Sequence, residues 1–236
     1  EDFLHRQRGG RFVMFMSGSQ LIGFGAGGGV VPASVSFAGS SVDGTDQTTY
    51  TFTSHAIGTA AANRTVVVCI SGNGAGFSRS VSGVTIGGVS ATELIDYQNP
   101  TSTDQLSAMY SLAVASGTTA TIVVTFSDSM VACGIGVFAA YGISSSTHAT
   151  DTDPSEPGSL SLNVPANGIA IACSRSDNGA ACTVTGVTEA YDENVESNRY
   201  QYGGALAFAS AQTPLAIGFD ASGSNQTSIA ASWGPA

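Results

Sequence analysis

The chain repeats itself. NRTVVVCISGNG, beginning at Asn63, is answered by NGIAIACSRSDNG, beginning at Asn167, which sets Cys69 against Cys173. VSGVTIGG from Val81 is matched by VTGVTEAY from Val184. SLAVASGTTATIVVTF, ending at Phe126, is matched by ALAFASAQTPLAIGF, ending at Phe219. VFAAYG, ending at Gly142, is matched by IAASWG, ending at Gly234, so that Tyr141 falls on Trp233. TYTFT has its counterpart in SLSLN, with Phe52 on Leu162. Five segments in the same order at similar spacing point to an internal duplication, with halves at 47–142 and 158–234.

Within each half, apolar residues alternate or form short runs between Gly, Ser, Asn and Asp, the signature of strands and turns. In the first half strands are expected near 49–55, 64–71, 81–87, 90–97, 105–115, 120–127 and 131–141. No stretch keeps a 3.6-residue period between caps, so little helix is expected. The fold class is therefore all-β: an antiparallel, jelly-roll-like β-sandwich with an internal duplication and an extended Gly-rich N-terminal arm. Residues 143–157, rich in Ser, Thr, Asp and Pro, read as a solvated linker. The second half is short and alanine-rich, and a small domain buries a thin core, which favours one merged sandwich over 36–236 rather than two. Residues 1–35 read as an arm whose glycines and few apolar residues cannot fold alone.

Charge narrows the function. The formal net charge is −10, there is no lysine, and three of the seven arginines (Arg6, Arg8, Arg11) lie in the arm. Nothing neutralises a phosphate backbone or an anionic lipid surface, which argues against nucleic acid and against membrane adsorption. The apolar stretch from Phe12 is broken at Ser17–Gln20, short of the roughly 20 apolar residues a spanning helix needs. A surface with so few charges is hydroxyl-rich or covered by neighbours.

His5, His55 and His148 lack a partner motif such as G-x-S-x-G, and His55 reads as an exposed residue at a strand end. Gly23, Gly25 and Gly28 have G-x-G-x-x-G spacing, but Val30, Val31 and Pro32 follow instead of a helix, so no phosphate cradle is expected. Asp151, Asp153 and Glu156, and Asp192, Glu193 and Glu196, are acidic clusters without calcium-loop spacing. Cys173 and Cys182 flank a turn-like segment and are a candidate hairpin disulfide. No C-x-x-C supports zinc. Tyr191, Tyr200 and Tyr202 could line a shallow polyol site, with packing the commoner role for such residues. These readings give no catalytic residue, no metal and no cofactor.

YTFTSHAIGTAAANRTVVVCISGNG, followed by SVSGVTIGGVSATELI, resembles a sandwich family found among virion structural proteins of tailed bacteriophages. The shared features are a glycine-rich N-terminus, an opening Y-x-F-T strand, an R-x-V-V-V strand and a V-T-I-G-G-V hairpin. The resemblance covers residues 36–142 and carries no catalytic residue. It implies a non-enzymatic virion component (head decoration, head fibre or tail-associated), located in the virion or outside the cell. Its expected partners are copies of itself and other virion proteins. Leu21, Ile22 and Phe24 are the expected partner-binding residues of the arm. The alternatives are a secreted carbohydrate-binding module, meeting for instance a host-surface glycan, and an extracellular filament subunit that works by strand addition.

Overall fold

The computed structural model describes residues 30–74, 79–100, 105–177, 179, 181–221 and 223–236. Seventeen strands follow one another: β1 (Ser34–Asp43), β2 (Gln47–Ala56), β3 (Arg64–Asn73), β4 (Val81–Ile86), β5 (Val89–Ser90), β6 (Thr92–Gln98), β7 (Gln105–Ala113), β8 (Thr119–Met130), β9 (Ala132–Tyr141), β10 (Ala149–Asp153), β11 (Gly158–Val164), β12 (Gly168–Asp177), β13 (Thr183–Thr185), β14 (Thr188–Glu196), β15 (Arg199–Phe208), β16 (Gln212–Asp220) and β17 (Ser224–Trp233). All pairings are antiparallel, and none of the described residues is helical.

The strands form four sheets, and the order in the first half recurs in the second. The sheet β1-β9-β3-β7-β6 has its counterpart in β10-β17-β12-β15-β14, and β2-β8-β4-β5 has its counterpart in β11-β16-β13. Each half has an inner and an outer sheet with a core between them. Val66, Val68, Ile70, Ile135 and Val137 of the first five-stranded sheet pack on Phe52, Val84, Ile122 and Val124 of its outer sheet. In the second half Ala170, Ala172 and Ala230 pack on Leu160, Leu162, Leu215, Ile217 and Phe219. The alternate residues of the same inner strands, Val67, Cys69, Phe138 and Ala140 against Ile169, Ile171, Cys173, Ile229, Ala231 and Trp233, make a third core between the two sandwiches. The layers therefore run outer, inner, inner, outer. An inner strand buried on both faces needs apolar residues at every position, which is why VVVCI and GIAIAC read as unbroken apolar runs.

A thin second sandwich is stable here because the first covers its inner sheet. The remaining interface is polar. The buried Arg175 donates to Asn73 of the first half and to Asp177, both at 2.7 Å. Gln105 donates to Asp177 at 3.0 Å and to the Asn225 carbonyl, and Thr227 donates back to Gln105 at 3.2 Å. Side chains from both sandwiches thus hydrogen-bond across the interface, which fixes their relative placement.

Two boundaries shift. Ala33 lies in the inter-sandwich core and donates its N–H to Asn167, and β1 starts at Ser34 and pairs with β9. The body therefore begins at Ala33, inside the segment read as arm, and the first half gains a strand before residue 47. The linker 143–157 likewise contains β10, the edge strand beside β17. Its hydroxyl and acidic residues hid it because an edge strand needs few apolar side chains.

One matched segment is off by a residue. Cys69 faces Gly136 across β3–β9, whereas Cys173 faces Ile229 across β12–β17. With the cysteines equated, Trp233 occupies the place of Ala140, and Tyr141 lies one residue beyond. A shift of one residue in a strand exchanges its faces. Trp233 accordingly points into the inter-sandwich core, while Tyr141 sends its hydroxyl to the Thr59 carbonyl.

Candidate functional site

An open cleft of about 790 Å³ lies at one end of the inter-sandwich seam. Thr65, Ser111 and Thr92 come from the neighbouring strands β3, β7 and β6, and Leu94, Ile143 and Trp233 are among the apolar residues beside them. Arg64 also borders it, yet its guanidinium is spent on the carbonyls of Gly58, Val114, Ser116 and Gly117 at 2.7–2.9 Å, so it pins the turn after β7 and offers a ligand no free charge. Trp233 is 2% exposed and cannot act as a stacking platform. What the cleft offers is uncharged hydroxyl and amide chemistry.

A smaller groove of about 440 Å³ holds the nearest approach to acid–base chemistry. On β6 a bulge between Glu93 and Ile95 turns Glu93 and Asp96 to the same face. Tyr110 donates its hydroxyl to Glu93 at 2.8 Å. Asp96 accepts the Val81 N–H at 2.8 Å. Burial raises the Asp96 carboxyl to about 6; the Val81 N–H opposes that and the nearby Glu93 charge adds to it. The Tyr110 phenol is raised by burial first and then by Glu93. A similar contact lies in the second sandwich, where Asp192 accepts the Cys182 N–H at 3.0 Å. Each aspartate ties an inner edge strand to the chain entering the facing outer sheet. This reads as a sandwich clamp rather than as catalysis. Its sequence signal, Thr-Glu-x-x-Asp at 92 and again at 188, was legible but was masked by aligning VTGVTEAY with VSGVTIGG.

The other candidates resolve into structure. His55 is buried, against expectation: its Nδ1 lies 2.9 Å from the Ala56 carbonyl, and its ring fills the space left by Gly39 at the β1 bulge. His148 is exposed and donates its backbone N–H to Ser232. Asp151 accepts the Ser161 N–H at 2.7 Å, and Asp153 accepts the Ser155 and Ser159 N–H groups, so these carboxylates join β10 to β11. Glu193 takes Ser40 at 2.6 Å and Gln201 at 3.1 Å, and Glu196 takes Arg199. Among the described residues no group of three metal-ligating side chains comes together.

The tyrosines do not share a polyol site. Tyr191 is in the inter-sandwich core and Tyr202 in the second sandwich's own core, on opposite faces of one sheet, with Tyr200 stacked on Tyr202 at 6.3 Å. Cys173 and Cys182 are separated in the same way, so no hairpin disulfide joins them, and all four cysteines are free and buried. Leu21, Ile22 and Phe24 of the arm, the glycines 23, 25 and 28, and His5 lie outside the described residues. No protein-family model matches the chain, and no curated protein matches it in sequence.

Proposed function

We propose that this chain is a non-enzymatic structural component of a multi-subunit assembly of the virion kind (a decoration, fibre or tail-associated protein) attached through its N-terminal arm. The observation that carries this reading is the fused pair of sandwiches. Two inner sheets buried on both faces and a polar seam hydrogen-bonded across the interface make a block that resists relative motion. Such a block suits load-bearing display better than a reaction cycle that needs opening and closing. The resemblance of residues 36–142 to tailed-phage virion proteins supports the same reading, as does a low-charge exterior suited to close packing of copies. The partners are copies of the chain and other virion proteins.

Deleting residues 1–29 tests it. The truncated chain is expected to melt within about 2 °C of the full chain, because β1 and Ala33 remain, but to lose association with the particle or with its own copies in sedimentation. Wild-type association by the truncated chain would remove the arm from the mechanism.

The cleft favours a second reading, recognition of a neutral glycan, since Thr65, Thr92 and Ser111 present hydroxyls beside Leu94. Binding to a glycan panel that a Thr92→Arg substitution abolishes would move the chain to that class.

A further inference from the structure

We propose that Cys69 and Cys173 are the two ends of a disulfide that joins the first sandwich to the second when the chain folds in an oxidising medium. Cys69 lies on β3 and Cys173 on β12, the middle strands of the two facing inner sheets. Both are 1% exposed and belong to the same inter-sandwich core, and the Cys173 thiol is raised by burial first and then by the nearby Cys69. Facing sheets ordinarily lie about 10 Å apart, so two cysteines meet across the gap only where they point at one another.

A third residue locates the pair independently. Gly136 is the lateral neighbour of Cys69, and Gly203 is that of Cys173. A Cβ placed on Gly136 would fall 2.2 Å from Cε1 of Tyr191, and one placed on Gly203 would fall 2.4 Å from the same atom. One ring thus touches the backbone beside each cysteine. Burial raises its phenol well above the ordinary value, and the nearby Cys69 and Cys173 add to that. With no side chain on either glycine, the Tyr191 ring fits between the two sheets beside the cysteines. Cys133 belongs to the first sandwich's outer core and Cys182 to the second's, so neither competes.

The chemistry is thiol–disulfide exchange. The two cysteine thiols give up two protons and two electrons and form one S–S bond. Glutathione disulfide accepts the electrons and protons and leaves as two glutathione thiols. Burial raises the Cys173 thiol well above its ordinary value, and the thiolate is the attacking species. The bond therefore forms as the sandwiches close, and once closed it is shielded from reductant.

The full chain is refolded in a glutathione redox buffer and, separately, under reducing conditions, then denatured and alkylated. Oxidative refolding is expected to leave two alkylatable thiols and reductive refolding four. In a Cys133→Ala chain, cleavage after arginine should yield peptides 65–79 and 80–175 linked to each other, which only Cys69 and Cys173 can then achieve. The oxidised form should melt roughly 5–10 °C higher than the reduced form, and Cys69→Ala or Cys173→Ala should abolish both the link and that difference. Four free thiols in oxidatively refolded, natively melting wild-type protein would overturn the proposal. So would a link through Cys133 or Cys182.

Discussion

Where the first sandwich sets Ile70 beside Ile135, the second sets Ser174 beside Ser228, and where the first has Cys133 the second has Gln226. The strand order is the same and the pairing register is the same, but the contents differ. Gln226 donates to Ser174 at 2.7 Å, to Ser228 at 3.1 Å and to the Phe219 carbonyl at 3.1 Å, and the two serines bond each other at 2.9 Å. Gly158 on the facing strand leaves so little space that a Cβ there would lie 2.3 Å from the Ser228 hydroxyl. The second sandwich is thus thinner at this point and holds its layers by hydrogen bonds where the first uses aliphatic volume. One topology accepts either filling, aliphatic volume in one half and a hydrogen-bonded cluster in the other.

The comparison breaks most visibly at Ile135. Ile135→Ser should cost about 5 kcal/mol, a lost aliphatic side chain plus a hydroxyl with no prepared partner, read as a fall in the urea midpoint. A small cost would mean that the first sandwich can recruit the second's polar solution. Next comes the strand register. Trp233→Ala should cost about 3–5 kcal/mol because it empties the inter-sandwich core. Tyr141→Phe, at the position the sequence match equates with it, should change stability by less than about 1 kcal/mol, since it removes one exposed hydrogen bond. Equal effects from the two would reinstate the sequence alignment. In the second sandwich Ser228→Ala should cost about 1–3 kcal/mol by leaving Ser174 and the Gln226 amide short of a partner. A neutral result would reduce the serine cluster to filler.

The smallest effect is in the clamp. The Asp96 carboxyl titrates near 6 in the folded chain, above its ordinary value. A raised acid binds its proton more tightly when folded, so its stabilising contribution is fully present at low pH and is lost as pH rises through about 6. The melting midpoint should therefore fall by about 2–4 °C between pH 5 and pH 7 on account of this group, and Asp96→Asn should flatten that part of the profile. An unchanged pH profile in the variant would show that the carboxyl is solvated.

Much of the fold was legible because strand signals are local. Alternation and turn residues announced strands at 64–71, 120–127 and 131–141, and β3, β8 and β9 lie there. Of the candidate site, the sequence offered titratable residues in clusters, and the structure spends those it describes on backbone amides and on one another. No local signal foretold this, because the partner of each carboxylate is set by the register of another strand.

By itself the sequence determined the all-β class, the order of strands and the recurrence of that order, since each depends on residues near one another in the chain. Only the tertiary structure decided that the inner sheet of each half packs on that of the other. An apolar run such as VVVCI reads the same whether its second face meets its own sheet partner or a neighbouring sandwich. The tertiary structure likewise decided that Trp233 answers Ala140, since one residue of register cannot be read from similarity alone. It also decided that Cys69 and Cys173 share one core. That encounter spans more than a hundred residues and exists only because burial of both inner faces drives the two sheets together.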